Sequence, residues 1–227
     1  MCGSTHGARH RSSLLIYCQP VIAHHMEPTV LEGRYVRLVP LSRDHVPALC
    51  EIGLDPEIWR WTPTRVATTA DMETYVAEGL AEHDAGRALP FAQIDVATDR
   101  VVGCTRLANI DRAHARAEIG WTWLGRPWQR TAINTEAKLL LFTYAFDVMG
   151  CRRVELKTDR MNEQSRRAIG RLGAVEEGVF RRHMITATGR SRDTVYFSVI
   201  DDEWPAVRSG LQHRLDTGSS GRGPSAS

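Results

Sequence analysis

No stretch of this 227-residue chain approaches the roughly 20 consecutive apolar residues that a membrane-spanning helix needs. The nearest approach, Leu14–Ala23 (LLIYCQPVIA), follows a basic segment as a secretion signal does, but Pro20 interrupts it and no small-x-small cleavage site follows. Charge of one sign is also missing. The chain carries 29 Lys and Arg against 27 Asp and Glu, a net charge of +2, and no basic stripe interleaved with aromatics, so nucleic acid has no electrostatic footprint. The cysteines Cys2, Cys18, Cys50, Cys104 and Cys151 form no CxxC pair. Their odd number and irregular spacing argue against a disulfide framework and a zinc site. Cys50, Cys104 and Cys151 read as small buried hydrophobes. His24-His25 has no third ligand in view, so no metal is expected. The glycines of a Walker A or dinucleotide-binding loop are absent too. These absences leave a protein of the reducing cytoplasm with neither membrane nor nucleic acid as partner.

What is present is a globular chain. Hydrophobic residues make up 42% and charged residues 25%, ordinary values for one folded domain. We assign that domain to residues 29–215. Residues 1–28 read as a disordered or mis-started extension, because Met26 opens a segment that runs directly into a strand. Residues 216–227 (DTGSSGRGPSAS) are Gly/Ser-rich without apolar periodicity and read as a disordered tail.

Within the domain, Arg34–Leu41 alternates as a strand, and Ser42 caps a helix reaching Leu54. Asp55-Pro56 breaks that helix, and the short aromatic segment Glu57–Trp61 follows. Thr69–Ala85 has the stripe Met72, Val76, Leu80 of a second helix. Leu89–Val96 and Arg100–Ala108 form a hairpin, and Arg116–Leu124 another strand. Gly125–Thr131 is a loop before the periodic helix Asn134–Val148, closed by Gly150. Arg152–Thr158 is a strand, Asn162–Leu172 a helix, and Ala174–Ile185 and Arg192–Ile200 two last strands. The reading is an α/β (α+β) protein, with a mixed, mostly antiparallel twisted sheet of about seven strands flanked by about four helices.

Two strand-to-helix junctions carry the chemistry. After Arg116–Leu124, the segment Gln129–Thr135 delivers a helix N-terminus, whose unpaired amides and positive dipole end suit phosphate. From physics alone a plain connecting loop is an equal reading. After Arg152–Thr158, Asn162 stands at a helix cap with Ser165 three residues on, which taken alone is ordinary capping.

Together, Trp128-Gln129-Arg130-Thr131-Ala132-Ile133-Asn134-Thr135-Glu136-Ala137, Val154-Glu155-Leu156, and Asn162, Ser165 and Leu172-Gly173-Ala174 resemble the GNAT acetyltransferase superfamily, in its ribosomal-protein N-terminal acetyltransferase branch. Order, spacing and helix placement match from about Leu31 to Leu215. Ala132 and Asn134 stand where the superfamily's pyrophosphate loop has small residues, and glycine's loss there bears on how closely phosphate can approach.

The resemblance implies acetyl-CoA as cosubstrate and an amine as acceptor, a small molecule or a protein N-terminus, joined by direct attack in a ternary complex. It implies a splay between the strand of Glu118–Trp123 and that of Val154–Thr158, which the pantetheine arm fills. The amides of Arg130–Thr135 would hold the pyrophosphate, with side-chain donors from Gln129, Arg130 and Thr131. Asn162 would bond the pantetheine and Ser165 would lie at the sulfur. An N–H at Trp121 or Thr122, in the segment ending at Trp123, would polarise the carbonyl. Glu118 is the expected base, with Arg116 or Arg106 as its partner on a purely structural reading. An α-amine, with pKa near ~8, costs about 1.4 kcal/mol to deprotonate at pH 7, against about 4.6 kcal/mol for lysine, so a site with one modest base favours the α-amine. Trp59 and Trp61 are expected to wall the acceptor pocket, with core and rim packing as the structural alternative. Arg181-Arg182-His183 is read as a solvated face, with an acidic acceptor as the functional alternative. The altered loop also suits a non-catalytic acyl-CoA-binding regulatory module. A symmetric homodimer is allowed, though no exposed apolar stripe demands one.

Overall fold

The computed structural model describes residues 29–218; the expected extension 1–28, with His24-His25, and the end of the tail lie outside them. The elements run β1 (Leu31–Glu32), β2 (Val36–Pro40), α1 (Val46–Gly53), α2 (Pro56–Trp59), α3 (Thr69–Asp84), β3 (Leu89–Asp95), β4 (Arg100–Asp111), β5 (Arg116–Leu124), α4 (Ala132–Thr143), β6 (Arg153–Asp159), α5 (Glu163–Arg171), β7 (Val175–Ile185), β8 (Ser191–Ile200) and α6 (Trp204–Gly218). One eight-stranded sheet has the order β1-β2-β3-β4-β5-β6-β8-β7. Only β5 and β6 are parallel.

The mixed, mostly antiparallel sheet is as expected, with differences of detail. The two-residue β1 is additional. Ser42 caps a 3-10 turn, Arg43–His45, that precedes α1. Asp55 ends one helix by starting another: its carboxylate accepts the Glu57 amide at 3.0 Å. α4 begins two residues earlier than the periodicity suggests, because the Thr131 hydroxyl accepts the Ile133 amide and caps it there. Its last turn, Tyr144–Val148, loosens into a π-helix before Gly150, whose φ of 72° closes the segment. The sequence reading has no counterpart of α6, which runs past the boundary expected at 215.

Each face of the sheet has its own apolar layer. On one, α4, α5 and α6 pack against Val36, Phe91, Ile119, Val154 and Phe197 through Ile133, Leu141, Phe142, Ile169, Trp204 and Leu211. On the other, α1–α3 cover Ala92, Cys104 and Trp123 with Leu49, Trp59, Met72, Tyr75 and Val76. That second layer covers only the β2–β5 half, so the same face of β6, β8 and β7 is left open, carrying Arg153, Glu155 and Lys157 beside Phe180 and Tyr196. Along β7, at the sheet's edge, Val175, Val179, Phe180 and Ile185 are exposed.

Candidate active site

The middle of the sheet is split. β5 and β6 pair only through Arg116–Arg153, Ala117–Val154 and Glu118–Glu155. Beyond these, β5 continues to Leu124 and β6 to Asp159 without meeting. Their facing edges carry backbone groups with no strand partner, bounding a wedge. α4 follows the far end of β5 and α5 the far end of β6, so both helix N-termini stand at the wedge's open end.

β5 is also kinked at the wedge. Cys104 pairs with Trp123 and Arg106 with Gly120, so Trp121 and Thr122 together oppose Thr105 in a β-bulge. Trp121 takes a φ of 49°, uncommon for a bulky residue, and its surroundings hold it there. The Tyr75 hydroxyl donates to the Trp121 carbonyl at 3.2 Å; burial keeps that phenol protonated, well above its ordinary range. The Gln93 amide donates to the carbonyls of Cys104 at 2.9 Å and Trp123 at 3.3 Å. The Thr122 hydroxyl meets that of Thr105 at 2.8 Å and receives the Lys138 ammonium at 2.6 Å.

Glu118 is 2% exposed. Its Oε2 accepts from the Asn109 amide at 2.6 Å and pairs with Lys157 Nζ at 2.8 Å. The expected structural partners are engaged elsewhere: Arg116 bridges Asp111 and Glu155, and Arg106 donates to the Tyr75 carbonyl under α3. The other carboxylate oxygen, Oε1, lies over Gly120, where an added Cβ would come within 2.9 Å of it. Glu118, Asn109, Lys157, Phe180 and Tyr196 line an open cavity of about 730 Å³ on the uncovered face.

At the two helix ends the expected donors part company. The Gln129 amide donates to the Leu124 carbonyl at 3.0 Å and the Thr131 hydroxyl to that of Trp128 at 2.7 Å; the Thr131 hydrogen is spent on the turn, and Gln129 keeps one N–H. Arg130 is exposed, has a φ of 62° and makes no ion pair among the described residues. Ala132, Asn134 and Thr135 are half-buried on the first turn of α4, and Ile133 is buried. Asn162 does cap α5, its Oδ1 accepting the Ser165 amide at 3.0 Å, which leaves its amide N–H groups free. The half-buried Ser165 hydroxyl has no partner among the described residues.

The two tryptophans separate. Trp59 is 5% exposed, donates to the Gly53 carbonyl at 2.7 Å and packs on Tyr75 and Trp123. It is core, because the helical turn of α2 points it into the α1–α3 layer, and so it does not wall a pocket. Trp61, beyond that turn, is half-buried between Arg60 and Arg190, its carbonyl accepting from buried Arg192 at 3.2 Å. Arg181 and Arg182 are exposed, whereas the His183 ring meets Phe180 and Tyr196 at the cavity rim. Desolvation, then the charges of Lys157 and Arg192, lower the His183 pKa against the pull of Glu118.

Lys157, Asn109, Tyr75 and Lys138 escape the sequence reading. Lys157 had a signal: strand alternation puts it on the face of Glu155, and so of Glu118. Lys138 had another, as a charge set between Ala137 and the apolar run Leu139–Phe142 of α4. Among the described residues no group of three or more His, Cys, Asp or Glu is placed to hold a metal, and no helix is long and apolar enough to cross a membrane.

Comparison with known proteins agrees with this architecture. The family model described as an acetyltransferase (GNAT) domain matches residues 36–175. A Bacillus licheniformis protein named uncharacterized N-acetyltransferase p20 is 32% identical over 183 residues, 79% of this chain and 99% of that protein. A Bacillus subtilis protein provisionally named ribosomal N-acetyltransferase YdaF is 35% identical over 102 residues, 45% of this chain and 55% of that one. The crystal structure of a GCN5-related N-acetyltransferase from Brucella melitensis superposes with a TM-score of 0.77 at 38% identity, covering 83% of this chain and 86% of the other.

Proposed function

Since the chain belongs to the GNAT acetyltransferase family, and is an N-acetyltransferase, we propose that it moves an acetyl group from acetyl-CoA to a primary amine by direct attack in a ternary complex. The observation that carries this reading is the wedge: β5 and β6 part after Glu118 and Glu155, beside a bulge whose backbone is held by the Tyr75, Gln93 and Thr122 side chains. The unpaired strand edges there suit an extended ligand that completes the sheet as an added strand does.

The residues present fit acetyl-CoA. The first-turn amides of α4, with Arg130 through Thr135 around them, suit a pyrophosphate, and Arg130 is the one charged side chain of the Gln129–Thr131 turn, with no ion pair among the described residues to compete for it. The free amide of Asn162 suits a pantetheine carbonyl. Acetyl-CoA supplies an activated acyl group with a good leaving thiolate.

In the transfer, the acceptor amine forms the new C–N bond at the thioester carbon and the C–S bond breaks. Glu118 takes the proton the amine sheds, directly or through water. The N–H of Trp121 or Thr122 donates to the carbonyl oxygen as it gains charge, and the Ser165 hydroxyl donates to the departing sulfur. The acceptor enters from the uncovered face, between Trp61 and the Phe180–Tyr196 rim. With one carboxylate that is already paired to Lys157, the site favours an amine of low pKa, an α-amine above a lysine. The name of the YdaF relative points to a ribosomal acceptor, which a protein N-terminus would satisfy, while the polar cavity also admits a small amine.

Calorimetric titration of the full chain with acetyl-CoA and, separately, with pantetheine tests the cofactor reading. Binding of the first and not the second is expected, followed by thiol release with an amine panel. A folded protein that binds neither would end the acetyl-CoA assignment.

A further inference from the structure

Lys138 is a lysine in the wrong place for a structural one. It lies on the sheet-facing side of α4, 5% exposed, and no carboxylate pairs with it among the described residues. Its three N–H donors make one protein hydrogen bond, to the Thr122 hydroxyl at 2.6 Å. Thr122 Oγ1 is a hub: it accepts from Lys138, shares a hydrogen bond with the Thr105 hydroxyl at 2.8 Å, and lies 3.3 Å from the Gly120 carbonyl, within reach of its own hydrogen. The ammonium thus ends a chain of hydrogen bonds that runs into the kinked segment Gly120–Thr122, on the edge of the wedge. A buried ammonium so poorly satisfied costs stability, which a methionine of similar length would not.

Resting on the acetyl-transfer reading above, we propose that Lys138 is a positioning residue for that step. Acting through the Thr122 hydroxyl, it holds the bulge amide in line for the thioester carbonyl and keeps a positive charge behind the point where the carbonyl oxygen turns negative. It touches neither substrate. Burial alone lowers the Lys138 pKa to about 7. No charged side chain of β2, β5 or α6 contributes, and Glu136 on the same helix is turned to the backbone of Arg34–Val36. Its charge is therefore present below neutral pH and fades above it.

The test compares wild type with K138M, T122V and T122S: kcat and KM from pH 6 to 9 by thiol release, acetyl-CoA affinity by calorimetry, and Tm. K138M and T122V should lower kcat by roughly tenfold or more, less than the loss of a direct oxyanion donor, about 100-fold. Acetyl-CoA affinity should stay within about threefold, on the rule that a contact felt only in the transition state leaves ground-state binding alone, and Tm should not fall in K138M. T122S should recover the T122V loss. The wild-type to K138M ratio of kcat, in which the titration of the amine cancels, should fall as pH rises through neutrality. Wild-type kcat in K138M, or a kcat loss matched by lost affinity and a lower Tm, would overturn the proposal. Wild-type protein that binds acetyl-CoA but acetylates no amine would instead bring down the transfer reading, and this inference with it.

Discussion

Gly33 and Glu136 meet so closely that a Cβ added at Gly33 would lie 2.5 Å from the Glu136 carboxylate. The contact exists because that carboxylate accepts the amides of Arg34, Tyr35 and Val36, at 2.8, 2.6 and 2.8 Å. One side chain of α4 thereby satisfies the backbone at the turn from β1 into β2. Charge-assisted bonds of this kind are the strong ones, and each buried amide left unpaired costs about 1–3 kcal/mol. Glu136→Ala should therefore destabilise the protein by about 3 kcal/mol or more, read from urea unfolding, and Gly33→Ala should destabilise it through the clash. A Glu136→Ala protein as stable as wild type would mean that the clamp is dispensable.

Glu118 should show as a loss of turnover rather than of binding. Glu118→Gln keeps the shape and the Asn109 neighbour but cannot take a proton, so kcat should fall by about 100-fold with acetyl-CoA affinity unchanged. The deficit should shrink toward alkaline pH, where more of the amine is already deprotonated. An undiminished kcat near pH 7 in a thiol-release assay would remove Glu118 from the mechanism and turn attention to His183.

Arg130 is expected to act on the cofactor alone. Arg130→Ala should weaken acetyl-CoA binding by about tenfold, the scale of one charge-assisted hydrogen bond, with less effect as salt is raised. Pantetheine binding should not respond. Equal affinities for acetyl-CoA in the variant and wild type, measured by calorimetry at low salt, would place the pyrophosphate elsewhere.

Lys138 gives a stability prediction separate from its activity. Its pKa falls from an ordinary 10.5 to about 7 in the folded protein through burial, so between those values the unfolded chain binds more protons and stability rises with pH. The cost of the buried charge is fully present below about 7 and is relieved as pH climbs toward 10.5. Relative to Lys138→Met, wild type should thus gain stability from pH 7 to 10. Parallel unfolding midpoints across that range would show that the lysine is not desolvated.

Much of the fold can be read from local signals. β5 has the predicted bounds, Arg116–Leu124, and Gly86, Gly150 and Gly173 end their helices with positive φ. The C-terminal helix, absent from the sequence reading, carried a signal as plain: Trp204, Val207, Leu211 and Leu215 recur at spacings of three and four and are all buried. The bulge was not: Trp121 and Thr122 are displaced by their register with β4, a long-range relation that no local pattern encodes. Trp59 and Trp61 look alike in sequence, and only the turn of α2 sends one inward. The partner of Glu118 depended on the register between β5 and β6, which sets Glu118 beside Glu155 and so on the face of Lys157, whereas the nearer arginines were expected from sequence distance.

The three residue pairs that join β5 to β6 have a mechanical meaning. They make the sheet two plates sharing a short seam, five strands on one side and three on the other, with the helices bracing the join from behind. A strand-like ligand lying along the rest of that edge would complete the weld. The stiffening it brings should be read first in slower amide exchange on Ile119–Leu124 and Leu156–Asp159, before any gain at the outer strands.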